Sequence, residues 1–197
     1  MLNADITDIP EIHLEILNKC EEIGFTMPSD VFVGSLLKTL ISSKPKGRFL
    51  ELGTGIGLSL SWMVDGMDEE ATLVTVDNDP ELIKIAGNYF GKDPRIEIIC
   101  DDGAAWIERN KTEKFELIFA DAWPGKYEKI GEILEMVEIG GFYVLDDMSY
   151  QANWPPGHQV HVDRLTAYLD NRKDFIITKL NWSTGLIIAV KKDINNN

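Results

Sequence analysis

Glu51-Leu52-Gly53-Thr54-Gly55-Ile56-Gly57-Leu58-Ser59 is the stretch that decides the fold. It overlaps the end of Arg48 to Leu52, which reads as a strand. It precedes Leu58 to Val64, which reads as a helix. Glycines between a strand and a helix let the backbone approach a ligand closely. A GxGxxG spacing would point to a dinucleotide and its diphosphate. Here the spacing is GxGxG, and Leu58 stands where the third glycine of that fingerprint would fall. Glu51, just upstream, is awkward beside a diphosphate and suits a ligand carrying an ammonium and a sulfonium.

Outward from this loop the chain alternates strand and helix. Ala71 to Val76, Arg95 to Ile99, Phe115 to Phe119 and Phe142 to Leu145 read as strands. Asp79-Pro80 opens a helix with an acidic cap and a proline in the first turn. A short helix is expected near Ala104 to Arg109. Another, marked by Ile130, Ile133, Leu134 and Val137, is expected to stop at Gly140-Gly141. A helix carrying Val162, Leu165 and Leu169 follows. Phe175 to Leu180 and Leu186 to Val190 are close enough for an antiparallel hairpin. Two helices lead the chain, the first stopping at Gly24 and the second capped by Ser29 or Asp30. Residues 1–45 are read as helices covering the site and 46–192 as the core of one domain spanning 1–197. The fold class is α/β: a doubly wound, mostly parallel sheet covered by helices on both faces.

In such sheets ligands bind beyond the carboxyl ends of the strands. All five leading strands deliver acid or glycine there: the glycine loop, Asp77-Asn78-Asp79, Asp101-Asp102-Gly103, Asp121-Ala122-Trp123-Pro124-Gly125 and Asp146-Asp147. Single aspartates are common in loops and helix caps, but the full set is poorly explained that way. Asp77 is placed to accept both hydroxyls of a ribose, and Asp102 an adenine amino group.

The stretches ELGTGIGLS, VTVDNDP, CDDGAAW and FELIFADAWPGKY resemble class I S-adenosylmethionine-dependent methyltransferases, most closely the small O-methyltransferases of the catechol and caffeoyl-CoA type. The resemblance spans roughly Arg48 to Val190. It implies a Rossmann-like, seven-stranded sheet with its last strand antiparallel, and methyl transfer to a small-molecule acceptor, at a hydroxyl oxygen. It implies S-adenosylmethionine held by Glu51, Gly53, Thr54, Gly55, Ser59, Asp77, Asn78, Asp102, Gly103, Ala104, Asp121 and Trp123. It also implies a divalent cation such as Mg²⁺ on Asp121, Asp146 and Asp147. Two departures bear on the chemistry: the pair after the fifth strand is Asp-Asp rather than Asp-Asn, and Pro124 stands where a lysine is frequent, with Lys126 nearest.

A hydroxyl acceptor must lose a proton to a base or a metal. Asp121, Lys126 and His158 are the catalytic candidates. The segment Met148 to His158, with Asn153-Trp154-Pro155-Pro156-Gly157, is expected to form a lid over the acceptor. Trp123 and Trp154 are candidates for an aromatic wall, whereas Trp62 and Trp106 read as packing and Cys100 as a buried strand-end thiol.

The chain has 197 residues and a net charge of −14, which disfavours phosphate backbones as partners. The start lacks the basic and apolar regions of a signal peptide, and no run is long enough to span a bilayer. Cys20 and Cys100 read as free thiols of a cytoplasmic protein, and homodimerisation is left open. Three alternatives stand at this point: a nicotinamide-dependent oxidoreductase on the same sheet, a methyltransferase acting on RNA or an amine, and a non-catalytic binding module.

Overall fold

The computed structural model describes residues 6–152 and 154–194. Two helices lead, α1 (Glu11–Ile23) and α2 (Val31–Ser42). Gly24 closes α1 in the left-handed conformation, and the Asp30 carboxylate accepts the Phe32 amide to open α2. The alternation then runs β1 (Arg48–Leu52), α3 (Leu58–Gly66), β2 (Thr72–Asp77), α4 (Pro80–Phe90), β3 (Ile96–Cys100), α5 (Gly103–Asn110), β4 (Phe115–Ala120), α6 (Ile130–Glu135), β5 (Val137–Leu145), α7 (His158–Asp170), β6 (Phe175–Leu180) and β7 (Leu186–Lys191). Asp79 caps α4 as its sequence predicts, accepting the Glu81 and Leu82 amides.

The seven strands form one sheet in the order β3-β2-β1-β4-β5-β7-β6. β1 to β5 are parallel, and β7 runs antiparallel to both β5 and β6. The strand order reverses between β1 and β4, and a crevice opens at such a switch point. Successive side chains point to opposite faces of a strand. Phe49, Leu73, Leu117, Phe119 and Val144 therefore join one buried layer with α1, α2, α3 and α4. Leu50, Leu52, Val74, Val76, Ile118 and Leu145 join the other, under α5, α6 and α7. Trp62 and Trp106 are buried, as read from sequence.

Two expectations are corrected. The helix marked by Ile130, Ile133 and Leu134 stops at Glu135, and Val137 already belongs to β5. Gly140-Gly141 lies inside that strand. Between the pairs Phe115–Val137 and Leu117–Phe142, β5 advances five residues while β4 advances two. Gly140 takes φ +76 within this bulge, and a Cβ on Gly141 would come within 2.9 Å of the Glu138 carbonyl oxygen. The glycines thus permit a bulge rather than end a helix. Cys100 is exposed rather than buried, because β3 is an edge strand and its last residue meets solvent.

Candidate active site

The carboxyl ends of β1, β2, β4 and β5 open into one cavity of about 620 Å³, a size that suits a nucleoside cofactor with a small acceptor. Gly53, Thr54 and Gly55 form its floor after β1, and Asp77 and Asn78 its side after β2. Gly53 takes φ +101, and a Cβ there would sit 2.9 Å from the Asp121 carbonyl oxygen, so the loops after β1 and β4 touch only because this residue has no side chain. The Asp77 carboxylate accepts the Gly55 amide at 2.9 Å and the Asp79 amide at 3.0 Å. That leaves lone pairs on both oxygens for a diol.

Glu51 does not face this cavity. It is fully buried beneath the glycine loop, with one oxygen taken by the Ser59 hydroxyl and the other by the Thr75 hydroxyl, each at 2.6 Å. Burial pushes its carboxyl up to about 7, against these hydrogen bonds and with help from the Asp77 charge. The Glu51–Ser59 pair, with Thr75 bonded onward to Thr54 at 2.5 Å, braces the loop from below.

Asp121, Lys126, Asp146 and Asp147 line the opposite wall. The turn after β4 carries Lys126 inward: the Gly125 amide donates to the Glu128 carbonyl, the Tyr127 amide to the Trp123 carbonyl, and the buried Tyr143 hydroxyl to the Gly125 carbonyl. Lys126 is buried, and no carboxylate among the described residues lies in direct ion-pair contact with it. Burial raises the Asp121 carboxyl well above the usual range. Lys126 opposes that, and Asp146, Asp147 and Glu51 add to it. Asp146 is pushed up to about 6, chiefly by burial. One of its oxygens accepts both the Thr184 hydroxyl and the Asp147 amide. Asp147 holds a left-handed backbone at φ 54, which aspartate tolerates better than most residues.

Asp121, Asp146 and Asp147 are the metal-ligand candidates expected from the sequence. Among the described residues no group of three His, Cys, Asp or Glu side chains is placed to hold a metal ion. One oxygen of Asp146 is committed to the Thr184 hydroxyl and the Asp147 amide, and the counter-charge near Asp121 and Asp146 comes from Lys126.

An aromatic wall closes the cavity. Trp123 and Tyr127 pack with ring centroids 4.8 Å apart, and Trp154 lies 4.4 Å from His158. His158 is the first residue of α7, not a loop residue, and its Nε2 lies 3.1 Å from the Tyr127 hydroxyl. Burial lowers the imidazole below its ordinary value, with Lys126 and His161 acting in the same direction. The Tyr127 phenol is raised, first by burial and then by Asp147 and Asp121. At neutral pH this is a neutral imidazole beside a neutral phenol.

Asp102, Gly103 and Ala104 do not line the cavity. Asp102 caps α5 by accepting the Ala105 amide at 2.8 Å, and it is exposed beside the site. Of the expected lid, Gln151, Trp154 and Pro155 reach the cavity, while Met148 and Ser149 are tied through their amides to the β6–β7 turn. Asn153 lies outside the described residues, as do Met1 to Asp5 and Asn195 to Asn197. Sequence reasoning missed Tyr127 and Thr184, which line the cavity, as does the Phe25 to Asp30 segment between α1 and α2, within the leading residues read as covering the site. The aromatic flank of the DAWPGKY stretch pointed to Tyr127, whereas Thr184 carries no local signal.

The model of the family described as O-methyltransferase matches residues 15–167. A Mycobacterium leprae relative with an O-methyltransferase designation is 32% identical over 110 residues, covering 54% of this chain and 49% of the relative. The match thus spans about half the length of that curated relative. The O-methyltransferase from Bacillus cereus, solved in complex with S-adenosylhomocysteine, superposes with a TM-score of 0.80 at 18% identity over 98% of this chain and 93% of the other. The O-methyltransferase TomG from Streptomyces achromogenes, solved with S-adenosylmethionine, does so with a TM-score of 0.77 at 20% identity over 98% and 93%. At these identities the likeness carries the fold.

Proposed function

The chain belongs to the O-methyltransferase family, and from that premise we propose that its cavity transfers a methyl group from S-adenosylmethionine to a hydroxyl of a small-molecule acceptor. The observation that carries the reading is the convergence of the Gly53–Gly55 loop, Asp77 and the Asp121–Lys126–His158 wall on one cavity at the β1/β4 switch point. The residues fit the cofactor. Asp77 has free lone pairs for the ribose diol, and Gly53, Thr54 and Gly55 line the cavity beside it. The cofactor supplies an already activated methyl group.

The chain's own work is then to place the acceptor and take its proton. Holding two reactants in line is worth about 7–11 kcal/mol of barrier. Trp123, Tyr127 and Trp154 offer flat apolar faces for the acceptor. His158, neutral near pH 7, serves as base through the Tyr127 hydroxyl: the phenol gives its proton to Nε2 as it receives one from the acceptor. The Lys126 ammonium stabilises the negative charge that develops on the acceptor oxygen. No step runs through a divalent cation. The alternatives weigh less: a dinucleotide diphosphate does not suit the acid-lined loop ends, and the charge of −14 disfavours RNA. Among the described residues no helix is long and apolar enough to cross a membrane, and the free thiols Cys20 and Cys100 fit a reducing, cytoplasmic setting.

The test is transfer of labelled methyl from S-adenosylmethionine into metabolite pools, with and without chelator. Label recovered in a methyl ether in both arms supports the reading. Label confined to amines, or none despite tight cofactor binding, overturns it.

A further inference from the structure

A second concavity of about 320 Å³ lies behind the aromatic wall and shares Lys126 and Tyr127 with the main cavity. The rest of its polar lining comes from one face of α7: His161, Arg164 and Tyr168. No carboxylate lines it, in a chain with 33 acidic residues against 19 lysines and arginines. Arg164 differs from the other arginines. Arg48, Arg95, Arg109 and Arg172 each lie against a carboxylate, whereas Arg164 has no ion-pair partner among the described residues. An unpaired guanidinium in so acidic a chain, set in a concavity with a histidine and the wall lysine, is arranged to meet an anion. Its planar fork matches the two oxygens of a carboxylate or a phosphate.

The two cavities meet along a ring-lined edge. His161 packs 4.8 Å from Trp123 and 5.8 Å from Tyr127, which both face the main cavity. A flat acceptor resting on that edge has its hydroxyl on the cofactor side and its far end over His161 and Arg164. We infer that the second concavity receives an anionic group carried by the acceptor, a carboxylate or a phosphate, so that the preferred acceptors are acidic hydroxyl compounds. The inference rests on the methyl-transfer reading and names the acceptor class for it. It also explains how so acidic a protein takes an anion: the site presents local positive charge against a repulsive surface.

Calorimetry on protein saturated with S-adenosylhomocysteine, using three probes of similar size, tests this: 4-hydroxyphenylacetate, phenyl phosphate and the neutral 2-(4-hydroxyphenyl)ethanol. At least one anion should bind about tenfold more tightly than the alcohol, the scale of one charge-assisted hydrogen bond. The stronger of the two anions tells carboxylate from phosphate. Arg164→Ala should abolish the preference, and Arg164→Lys should keep part of it. Equal binding of all three probes, no anion binding, or a preference that survives in Arg164→Ala overturns the inference. The preceding titration with S-adenosylhomocysteine separates the two readings. Failure to bind it counts against methyl transfer itself, whereas tight cofactor binding without anion preference sinks only the anion pocket.

Discussion

The Tyr127 hydroxyl and the His158 Nε2 lie 3.1 Å apart, joining the turn after β4 to the first residue of α7. The phenol is raised and the imidazole lowered, so the donor and acceptor of this hydrogen bond are both neutral at pH 7. His158→Ala should lower kcat by about 10²–10⁴-fold, the usual contribution of a general base. Tyr127→Phe breaks the same relay and should give a loss of similar size, and both should leave S-adenosylhomocysteine affinity within about twofold, half a kcal/mol. Steady-state kinetics beside calorimetry checks this, and a full-rate His158→Ala protein moves the base elsewhere.

The pH profile separates histidine from lysine as the base. His158 is lowered from 6.5 by burial, Lys126 and His161. Activity should therefore climb with pH through a midpoint below 6.5 and be level by neutral pH. A profile still rising through pH 9 would exclude His158 as the base.

Lys126 supplies the positive charge beside Asp121 and Asp146. Lys126→Met should cut kcat by about 10²–10³-fold, the scale of losing one group that stabilises a developing oxyanion. Wild-type activity should survive EDTA dialysis and gain nothing from added Mg²⁺. Loss of activity in chelator, restored by metal, would refute this assignment.

Asp77 offers its remaining lone pairs to the ribose diol. Asp77→Ala should weaken S-adenosylhomocysteine binding by about one to two orders of magnitude, from about 1.5–3 kcal/mol of charge-assisted hydrogen bonding. Calorimetry on protein with an unchanged circular dichroism spectrum measures it. Unaltered affinity would place the cofactor elsewhere.

Glu51 links the loop brace to pH. Its carboxyl titrates at about 7 when folded, against an ordinary value of 4.5. The folded state therefore holds the proton more tightly. The stabilisation this brings is complete below pH 4.5 and is lost as pH rises through 7, about 3 kcal/mol in all. Glu51→Gln keeps the shape and removes the titration. Denaturant titrations should show the variant gaining on wild type between pH 4.5 and 8, and a constant difference across that range would contradict the shift.

Much of the fold was legible in the chain because local chemistry dictates it. Asp79-Pro80 caps and starts α4, Gly24 ends α1, and Arg48 to Leu52 forms a strand that leads into the glycine turn. Where two local patterns overlap, the signal fails. Val137 stands at helical spacing from Ile133 and Leu134, yet it pairs with Phe115 across the sheet, and the Gly140 bulge absorbs the mismatch.

The sequence by itself determined the sheet, the cavity's edge and the carboxylates and glycines that meet there, since strand direction and crossover geometry carry every strand end of the parallel set to one side. Only the tertiary structure decided which of those groups face the cavity. Glu51 turned inward to Ser59 and Thr75, Asp102 went to a helix cap, and Asp146 was drawn to Thr184, 38 residues away. Burial and the partner within reach set how each carboxylate is used. Both depend on residues remote in the chain, which spacing along the sequence does not encode.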